Sequence, residues 1–156
     1  MPNAQTKESI AIVQRALSNV SDRSVIYEVF AEDAPYVSIN STDEDLKRIL
    51  PHTGTAYGPE GFLSVFKSVQ ELWEMEEFEI EEAFGEGERV AMFGRFVYRS
   101  LSLGHRAEST FAIFARVRDS KIVHFQFHED SFAAARSFRS GGTWTIETPG
   151  RAPIEV

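Results

Sequence analysis

The stretch "HRAESTFAIFARVRDSKIVHFQFHED", residues 105–130, alternates apolar and polar residues on both sides of a short polar turn, "RDSK". Alternation with a period of two is typical of a β-strand with one buried face, so these residues predict an antiparallel hairpin. Two more alternating runs come before it, "FEIEEAF" at residues 78–84 and "RVAMFGRFVYRSLSL" at residues 89–103. Together they predict a four-stranded meander, in which Gly104 supplies the positive φ of one turn.

Helical periodicity dominates the residues before the meander. Apolar residues recur every three or four positions in "KESIAIVQRALSNV", residues 7–20, which predicts an amphipathic helix. A second short helix is predicted at "RSVIYEVF", residues 23–30, with Ser21 or Asp22 as its N-cap. Pro35 then favours an extended segment over residues 31–40.

A third helix is predicted within "GTAYGPEGFLSVFKSVQELW", residues 54–73, with Pro59 at its first position. Between the extended segment and this helix lies "STDEDLKRILPHTG", residues 41–54, which is polar, then briefly helical in pattern, and then broken by Pro51 and Gly54. We expect this segment to form a lid-like loop. After the meander, "SFAAARSF" predicts a short helix, and residues 139–156 form a tail with one strand near residues 143–147.

Helices followed by a mostly antiparallel sheet indicate the α+β class. The chain of 156 residues is predicted to be one domain, with a core of about residues 5–138 and a C-terminal tail of residues 139–156. It has no cysteine, which excludes disulfides and thiolate zinc sites. The net charge of −8 argues against a nucleic-acid partner, and no apolar run is long enough for a membrane span. We therefore expect a soluble, cytoplasmic protein.

The segments "AEDAPYVSI", "GTAYGPEGFLSVF", "GERVAMFGR" and "VRDSKIVHFQFHEDSF" resemble, in this order, the SnoaL-like branch of the nuclear transport factor 2-like superfamily. The resemblance covers about Ile10 to Phe138. Its members include ketosteroid isomerase, limonene epoxide hydrolase, scytalone dehydratase and polyketide cyclases. It implies a conical, half-open barrel whose N-terminal helices pack on the concave face of a curved sheet around an apolar pocket. It also implies a homodimer formed through the convex sheet face, and leaves the activity open.

The catalytic residues of the steroid isomerases do not carry over. An ungapped match places Gln14 at their first-helix tyrosine, Ser38 at their base aspartate and Ile113 near their oxyanion-hole aspartate. Against the epoxide hydrolases, Tyr36 matches the water-binding tyrosine, but Ser38 replaces an asparagine. Val97 and Phe127 stand where those enzymes have aspartates. Neither mechanism is retained intact, so the resemblance implies a different small-molecule reaction or a binding function.

Four residues remain as catalytic candidates. Tyr36 and Ser38 can donate hydrogen bonds to a ligand oxygen from the strand that lines the pocket in relatives. Glu129 is expected on the concave face, where burial among aromatic rings would adapt it to general acid or base catalysis. His52 lies in the predicted lid, from which an imidazole can shuttle a proton. For each, the alternative is an ordinary structural or exposed side chain.

The other pocket candidates are ligand-binding residues. Asn40 would follow Ser38 toward the pocket mouth. If Arg95 points outward, Phe96 and Tyr98 line the cavity, and if it points inward, it needs Glu129 or an anionic ligand as a partner. Trp144 in the tail either covers a pocket mouth or packs on the convex sheet. The aromatic and aliphatic residues expected to form the core and to line the cone are Phe62, Phe66, Trp73, Phe111, Ile113, Phe125 and Phe127.

The polar residues that end the last strand predict no metal site. His124 and His128 share a face but are roughly 13 Å apart along a strand, too far to bind one ion. With Gln126 they are expected on the convex face, at the predicted dimer interface. Asp130 is expected to cap the following helix, with a pocket-mouth acid as the alternative.

Three functions therefore stay open. The first is a cofactor-free isomerase, cyclase, dehydratase or hydrolase acting on a hydrophobic small molecule. The others are a non-catalytic, ligand-binding dimer and a protein-docking adaptor. A carboxylate with a strongly shifted pKa inside a closed cavity favours catalysis, an entirely apolar cavity favours binding, and a large exposed apolar patch without a cavity favours docking.

Overall fold

The computed structural model describes residues 3–39 and 42–156 of the chain. A six-stranded sheet with the order β2-β1-β6-β5-β4-β3 forms its centre, and all neighbours are antiparallel except β1 and β6. The elements are α1 (Ala4–Leu17), α2 (Arg23–Val29), β1 (Pro35–Ser38), α3 (Glu44–Ile49), β2 (Gly54–Tyr57), α4 (Gly58–Leu72), β3 (Trp73–Glu86), β4 (Arg89–Ser100), β5 (Arg106–Arg118), β6 (Lys121–Glu129), α5 (Ser131–Arg136), β7 (Thr145–Ile146) and β8 (Ile154–Glu155).

The predicted α+β class is confirmed, and the fold is consistent with a cone-like, half-open barrel. Every second residue of β4 from Val90 to Ser100 is buried, as is every second residue of β5 from Ala107 to Val117. These alternating positions face the core, because successive side chains of a strand point to opposite faces. Helices α1, α2 and α4 contact strands of this sheet, so the helices and the inner sheet face enclose the apolar core.

Two helices begin at N-cap residues that the sequence predicts. The Asp22 carboxylate accepts hydrogen bonds from the backbone N–H groups of Ser24 and Val25. Asp130 caps α5 in the same way, through the N–H of Ala133 at 3.0 Å. Gly104 has φ 70°, the positive value expected for its turn. The two caps satisfy N–H groups that have no partner within their own helices.

The structure corrects the lid-like loop predicted for residues 41–54. Residues 44–49 form α3, and Gly54 begins β2, which pairs with β1 along the edge of the sheet. Leu50, His52 and Thr53 are buried. The sequence of this short segment does not predict β2, because that strand is stabilised by pairing with β1, which lies earlier in the chain.

Trp73 also differs from the prediction, since it begins β3 and does not end the preceding helix. Its backbone pairs with Ser100, and β3 then runs to Glu86 with two register shifts. Helical spacing placed Trp73 on the face of Phe66 and Val69, and all three still contribute to one surface. Cross-strand pairing therefore overrides a helical pattern at this boundary.

The outer sheet face carries charge pairs and some exposed rings. Arg95 points outward and forms ion pairs with Glu77 at 2.8 Å and Glu79 at 3.4 Å. The outward alternative is therefore correct, and Phe96 points into the core. Phe84 and Phe93 stack on this outer face with ring centroids 5.9 Å apart.

The tail forms a separate two-stranded hairpin of β7 and β8. Trp144 at its start lies 5.5 Å from the ring of Phe132 on α5, measured between centroids. It therefore packs against α5, neither on the convex sheet nor over the main pocket. Among residues 3–39 and 42–156, no helix combines the length and the hydropathy needed to cross a membrane.

Candidate functional site

A pocket of about 450 Å³ opens between the end of α1, helix α4 and the inner faces of β3 and β4. Its volume is in the range of small-molecule sites, and its wall is mainly apolar and aromatic. Gln70 and Ser18 are its few polar groups besides Tyr98. The lining residues are Leu17, Ser18, Val20, Phe66, Val69, Gln70, Trp73, Met75, Phe78, Ile80 and Tyr98.

A small void of about 10 Å³ lies directly behind this pocket. Val69, Trp73 and Tyr98 line both spaces and form the wall between them. The other residues around the void are His52, Phe96, Ala107, Glu129 and Ala134. Two of these residues, His52 and Glu129, are ionisable. They line the void but not the pocket, so the shared wall separates them from it.

His52 and Glu129 form a buried acid–base pair. The distance from His52 Nε2 to Glu129 Oε1 is 3.9 Å, and the two side chains are only 4% and 9% exposed. This distance suits an ion pair and exceeds that of a direct hydrogen bond. Among the described residues, His52 Nδ1 has no hydrogen-bond partner, although it is buried. Such an atom in a native protein requires an explanation, because leaving it unpaired costs free energy.

The chain brings the pair together from two distant elements. Glu129 is the last residue of β6, where its position pairs with Phe111 of β5. His52 follows α3 in a turn that is held by the Thr53 N–H and hydroxyl, which both donate to the Leu50 carbonyl at 3.0 and 2.9 Å. Both positions are therefore set by backbone pairing, which limits the movement of the side chains.

Trp73 is the best-fixed part of the wall. Its indole N–H donates a hydrogen bond of 2.9 Å to the Ser137 hydroxyl, and its ring lies 4.8 Å from that of Phe138. The His52 imidazole meets it edge-on, with a centroid distance of 5.5 Å. The tryptophan thus holds one face of His52 while its other contacts anchor it to α5 and the residues that follow.

The Glu129 carboxylate also affects two buried phenols. Burial raises the pKa of Tyr98, and the nearby Glu129 charge raises it further. Burial likewise raises the pKa of Tyr36 well above its usual value, with Glu129 and then Tyr98 as smaller causes. Both side chains therefore stay protonated near neutral pH and keep their O–H groups as hydrogen-bond donors.

The structure separates the two tyrosines by position. Tyr36 is 3% exposed, stacks on Phe125 with centroids 5.1 Å apart, and lines neither the pocket nor the void. Ser38 is buried on the same strand face and also lies outside both linings. Tyr98 lines both. The role of Tyr36 and Ser38 at a ligand stays a prediction, and Tyr98 is the phenol that reaches the pocket.

The predicted ligand-binding residues divide into three groups. Phe66, Trp73 and Tyr98 line the pocket, and Phe96 lines the void. Asn40 lies outside the described residues. The remaining five pack in the core and line neither space: Phe62, Phe111, Ile113, Phe125 and Phe127.

Sequence reasoning missed part of the pocket wall. Phe78, Ile80 and Met75 of β3 line it, and the alternation in "FEI" was a usable signal for the first two. The pairing of His52 with Glu129 carries no local signal, because it joins distant segments. Within the described parts of the chain, no three His, Asp or Glu side chains are grouped closely enough to hold a metal ion.

Comparison with known proteins identifies the family of this chain. Residues 13–125 match the model of the SnoaL-like domain family. Patulin synthesis protein F of Aspergillus clavatus is 36% identical over 122 residues, 76% of this chain. Patulin biosynthesis cluster protein F of Penicillium expansum is 34% identical over 128 residues, 80% of this chain. The chain spans only 62% and 64% of the lengths of these two relatives.

Solved structures share the fold. An NTF2-like protein of Burkholderia xenovorans LB400 superimposes with a TM-score of 0.74 at 24% identity, over 86% of this chain and 98% of that protein. TerC, crystallised with polyporic acid, gives 0.65 at 21% identity, over 81% of this chain and 94% of its own. At these identities the likeness concerns the fold, and it agrees with the resemblance drawn from the sequence.

Proposed function

Because this chain belongs to the SnoaL-like domain family, we propose that it is a cofactor-free acid–base enzyme that acts on a hydrophobic small molecule. The observation that supports this proposal is the buried pair of His52 and Glu129, 3.9 Å apart, directly behind an aromatic pocket of about 450 Å³. Ionisable groups shielded from water next to a cavity are characteristic of sites that move protons.

The proposed roles follow from position. His52 accepts a proton, and the Glu129 carboxylate stabilises the imidazolium that forms. Tyr98 stands between the bound molecule and the buried pair, because it lines both the pocket and the void and stays protonated. Tyr36 has no assigned role at the bound molecule, although the Glu129 charge adds to the effect of burial in raising its pKa.

The pocket wall indicates the substrate class. Rings of Phe66, Trp73 and Phe78 suit a flat or cyclic apolar body, while Tyr98 at the inner wall and Gln70 suit oxygen atoms on it. Two relatives are named for patulin synthesis, and a structural neighbour was crystallised with polyporic acid. A small oxygenated metabolite fits all of these observations, and isomerisation, cyclisation, dehydration and hydrolysis are the reactions that such proton transfers serve.

Binding and proton transfer can be tested separately. Polyporic acid is titrated into the Trp144→Phe variant, so that the fluorescence reports on Trp73 in the pocket wall. Turnover is then measured with 1-tetralone in D₂O, with androst-5-ene-3,17-dione and with limonene 1,2-epoxide. We expect at least one of these probes to react, and Glu129→Gln to slow that reaction about 10²-fold or more without loss of the fluorescence change.

Other results of these experiments would favour one of the two alternative functions. Binding of polyporic acid with no reaction of any probe would contradict catalysis and favour a ligand-binding protein. Neither binding nor reaction would favour a docking adaptor. Glu108→Gln is the matched control, because Glu108 is an exposed carboxylate on the outer face of β5.

We also propose a homodimer formed through the convex sheet face, supported by the exposed rings of Phe84 and Phe93, which stack on the outer face of β3 and β4. Sedimentation of the wild type and of Phe93→Glu tests this: we expect a dimer that the charge splits into monomers. A wild-type monomer would overturn it. One domain over residues 1–156 and a cytoplasmic location complete the proposal.

A further inference from the structure

We propose that the void between His52, Glu129 and Tyr98 is the binding site of one water molecule, which relays protons between the buried pair and the pocket. The inference rests on the proposed function for its role in a reaction, but the water site itself does not. Three observations carry it: the size of the void, the polar groups around it, and the unpartnered nitrogen of His52.

The size of the void matches a single water. Its volume is about 10 Å³, and a space of roughly 10–15 Å³ is the smallest that accommodates one water molecule. A ligand atom bonded to a larger body does not fit there, because Trp73, Val69 and Tyr98 close the side that faces the pocket. The void is therefore too small for a substrate and large enough for a solvent molecule.

The surroundings offer the partners that a buried water needs. His52, Glu129 and Tyr98, which all carry polar side-chain groups, line the void, and two to four polar partners are usual for an internal water. The remaining wall, formed by residues such as Phe96 and Ala107, is apolar and keeps bulk solvent away. A purely apolar void of this size would stay dry, so the three polar residues decide the assignment.

The tautomer of His52 determines which of its nitrogens accepts a hydrogen bond from the water. Glu129 lies 3.9 Å from Nε2 and favours a proton on that nitrogen. Nδ1 then presents a lone pair, and it has no hydrogen-bond donor among the described residues. A water in the void donates to Nδ1 and satisfies this buried acceptor, which otherwise remains an uncompensated cost.

The relay balances as a concerted transfer. An acidic proton of the bound molecule passes to the Tyr98 oxygen as the Tyr98 proton passes to the water. The water in turn gives one of its protons to His52 Nδ1. Tyr98 and the water each lose and gain one proton, His52 becomes an imidazolium facing the Glu129 carboxylate, and no tyrosinate accumulates. The reverse transfer returns the proton to another atom of the same molecule, which completes an isomerisation.

The first test is independent of any substrate. A crystal structure of the full chain at about 1.8 Å resolution should show one ordered water within about 3 Å of His52 Nδ1. The ¹⁵N chemical shifts of the imidazole should show an Nε2–H tautomer whose Nδ1 accepts a hydrogen bond. A dry void, or an Nδ1–H tautomer, overturns the inference whatever the activity of the protein.

Filling the void tests the relay. Ala107→Val adds two methyl groups to the void wall without removing a polar atom, and Ala134→Val does so from α5. In the crystal structure of each variant we expect the water to be lost. We also expect the reaction of the responsive probe to slow about 10²-fold, while polyporic acid still changes the Trp73 fluorescence. Ala112→Val on the outer face of β5 is the control and should retain both water and rate.

The failures are distinguishable. If the water is present in the wild type but no probe reacts, the water site stands and the proposed function fails. If a probe reacts and Glu129→Gln slows it, yet both void-filling variants keep the wild-type rate, the function stands and the relay is overturned. Two variants from different elements guard against a loss of rate caused by misfolding of one of them.

Discussion

The indole N–H of Trp73 donates a hydrogen bond of 2.9 Å to the hydroxyl of Ser137, and both side chains are buried. This bond connects the first residue of β3 with the segment just after α5. The Ser137 hydroxyl in turn donates a hydrogen bond of 2.7 Å to the Ala134 carbonyl. Two consecutive hydrogen bonds therefore connect Trp73, in the wall between pocket and void, with helix α5.

Ser137→Ala removes the only acceptor that the described residues offer to this indole. We expect the free energy of unfolding to fall by about 1–3 kcal/mol, because a buried N–H is left unpaired. Urea denaturation measures the difference. Ser64→Ala is the matched control, because its hydroxyl donates to the Gly61 carbonyl within an exposed turn of α4. Equal effects of the two substitutions would contradict the structural role of Ser137.

Gly94 lies in the middle of β4, where it pairs with Ile80 of β3 and Phe111 of β5. A Cβ at this position would lie 2.0 Å from the Glu79 carbonyl oxygen and 2.6 Å from Cζ of Phe111. We expect Gly94→Ala to lower the free energy of unfolding by about 3 kcal/mol or more, because backbone atoms cannot yield as a flexible side chain does. Thermal unfolding followed by circular dichroism measures it, and Gly141→Ala, which meets nothing within 4 Å, should be neutral.

The Asp22 cap predicts a dependence of stability on pH. Hydrogen bonds from the Ser24 hydroxyl and the Val25 N–H lower the pKa of the Asp22 carboxyl in the folded state. A lowered folded-state pKa means that the stabilisation is present above the unfolded value of about 3.9 and is lost as pH falls through the folded value.

This dependence can be measured with two variants. Asp22→Ala should lower the urea midpoint at pH 7, and the difference from wild type should shrink steadily below about pH 4. Asp22→Asn keeps a capping oxygen without a titrating group, so its own midpoint should lack this acid-dependent component. A difference between wild type and Asp22→Ala that stays constant down to pH 2 would contradict the assignment.

Tyr98 and Tyr36 make a matched pair of phenols, since both are buried and the Glu129 charge raises the pKa of both. We expect Tyr98→Phe to slow the reaction of a responsive probe at least about tenfold, because it removes the O–H group that reaches the pocket. Tyr36→Phe should change the rate less than about threefold. Initial rates at saturating probe measure both, and the opposite order would restore Tyr36 as the ligand-contacting phenol.

Much of the fold could be predicted because it depends on near neighbours in the chain. Alternation in "FAIFARV" sets which face of β5 is buried. Apolar spacing in "SIAIVQRAL" indicates the inner side of α1, where Val13 and Ala16 are buried and Ile10 and Leu17 are half-buried. Asp22 and Asp130 cap helices that start within the next residues. The outward direction of Arg95 agrees with the alternation of Val90, Met92 and Phe96, which are buried on the opposite face of the same strand.

Sequence patterns thus determined the α+β class, the meander and the helix caps, and together with the family resemblance they pointed to Glu129 and His52 as candidates. Only the tertiary structure decided that these two side chains meet, that His52 is buried and that Tyr98, not Tyr36, reaches the pocket. The physical reason is that β1 lies in parallel beside β6 while α3 and β2 fold over the same edge. Such contacts between distant segments depend on strand order and sheet curvature, which no local period encodes.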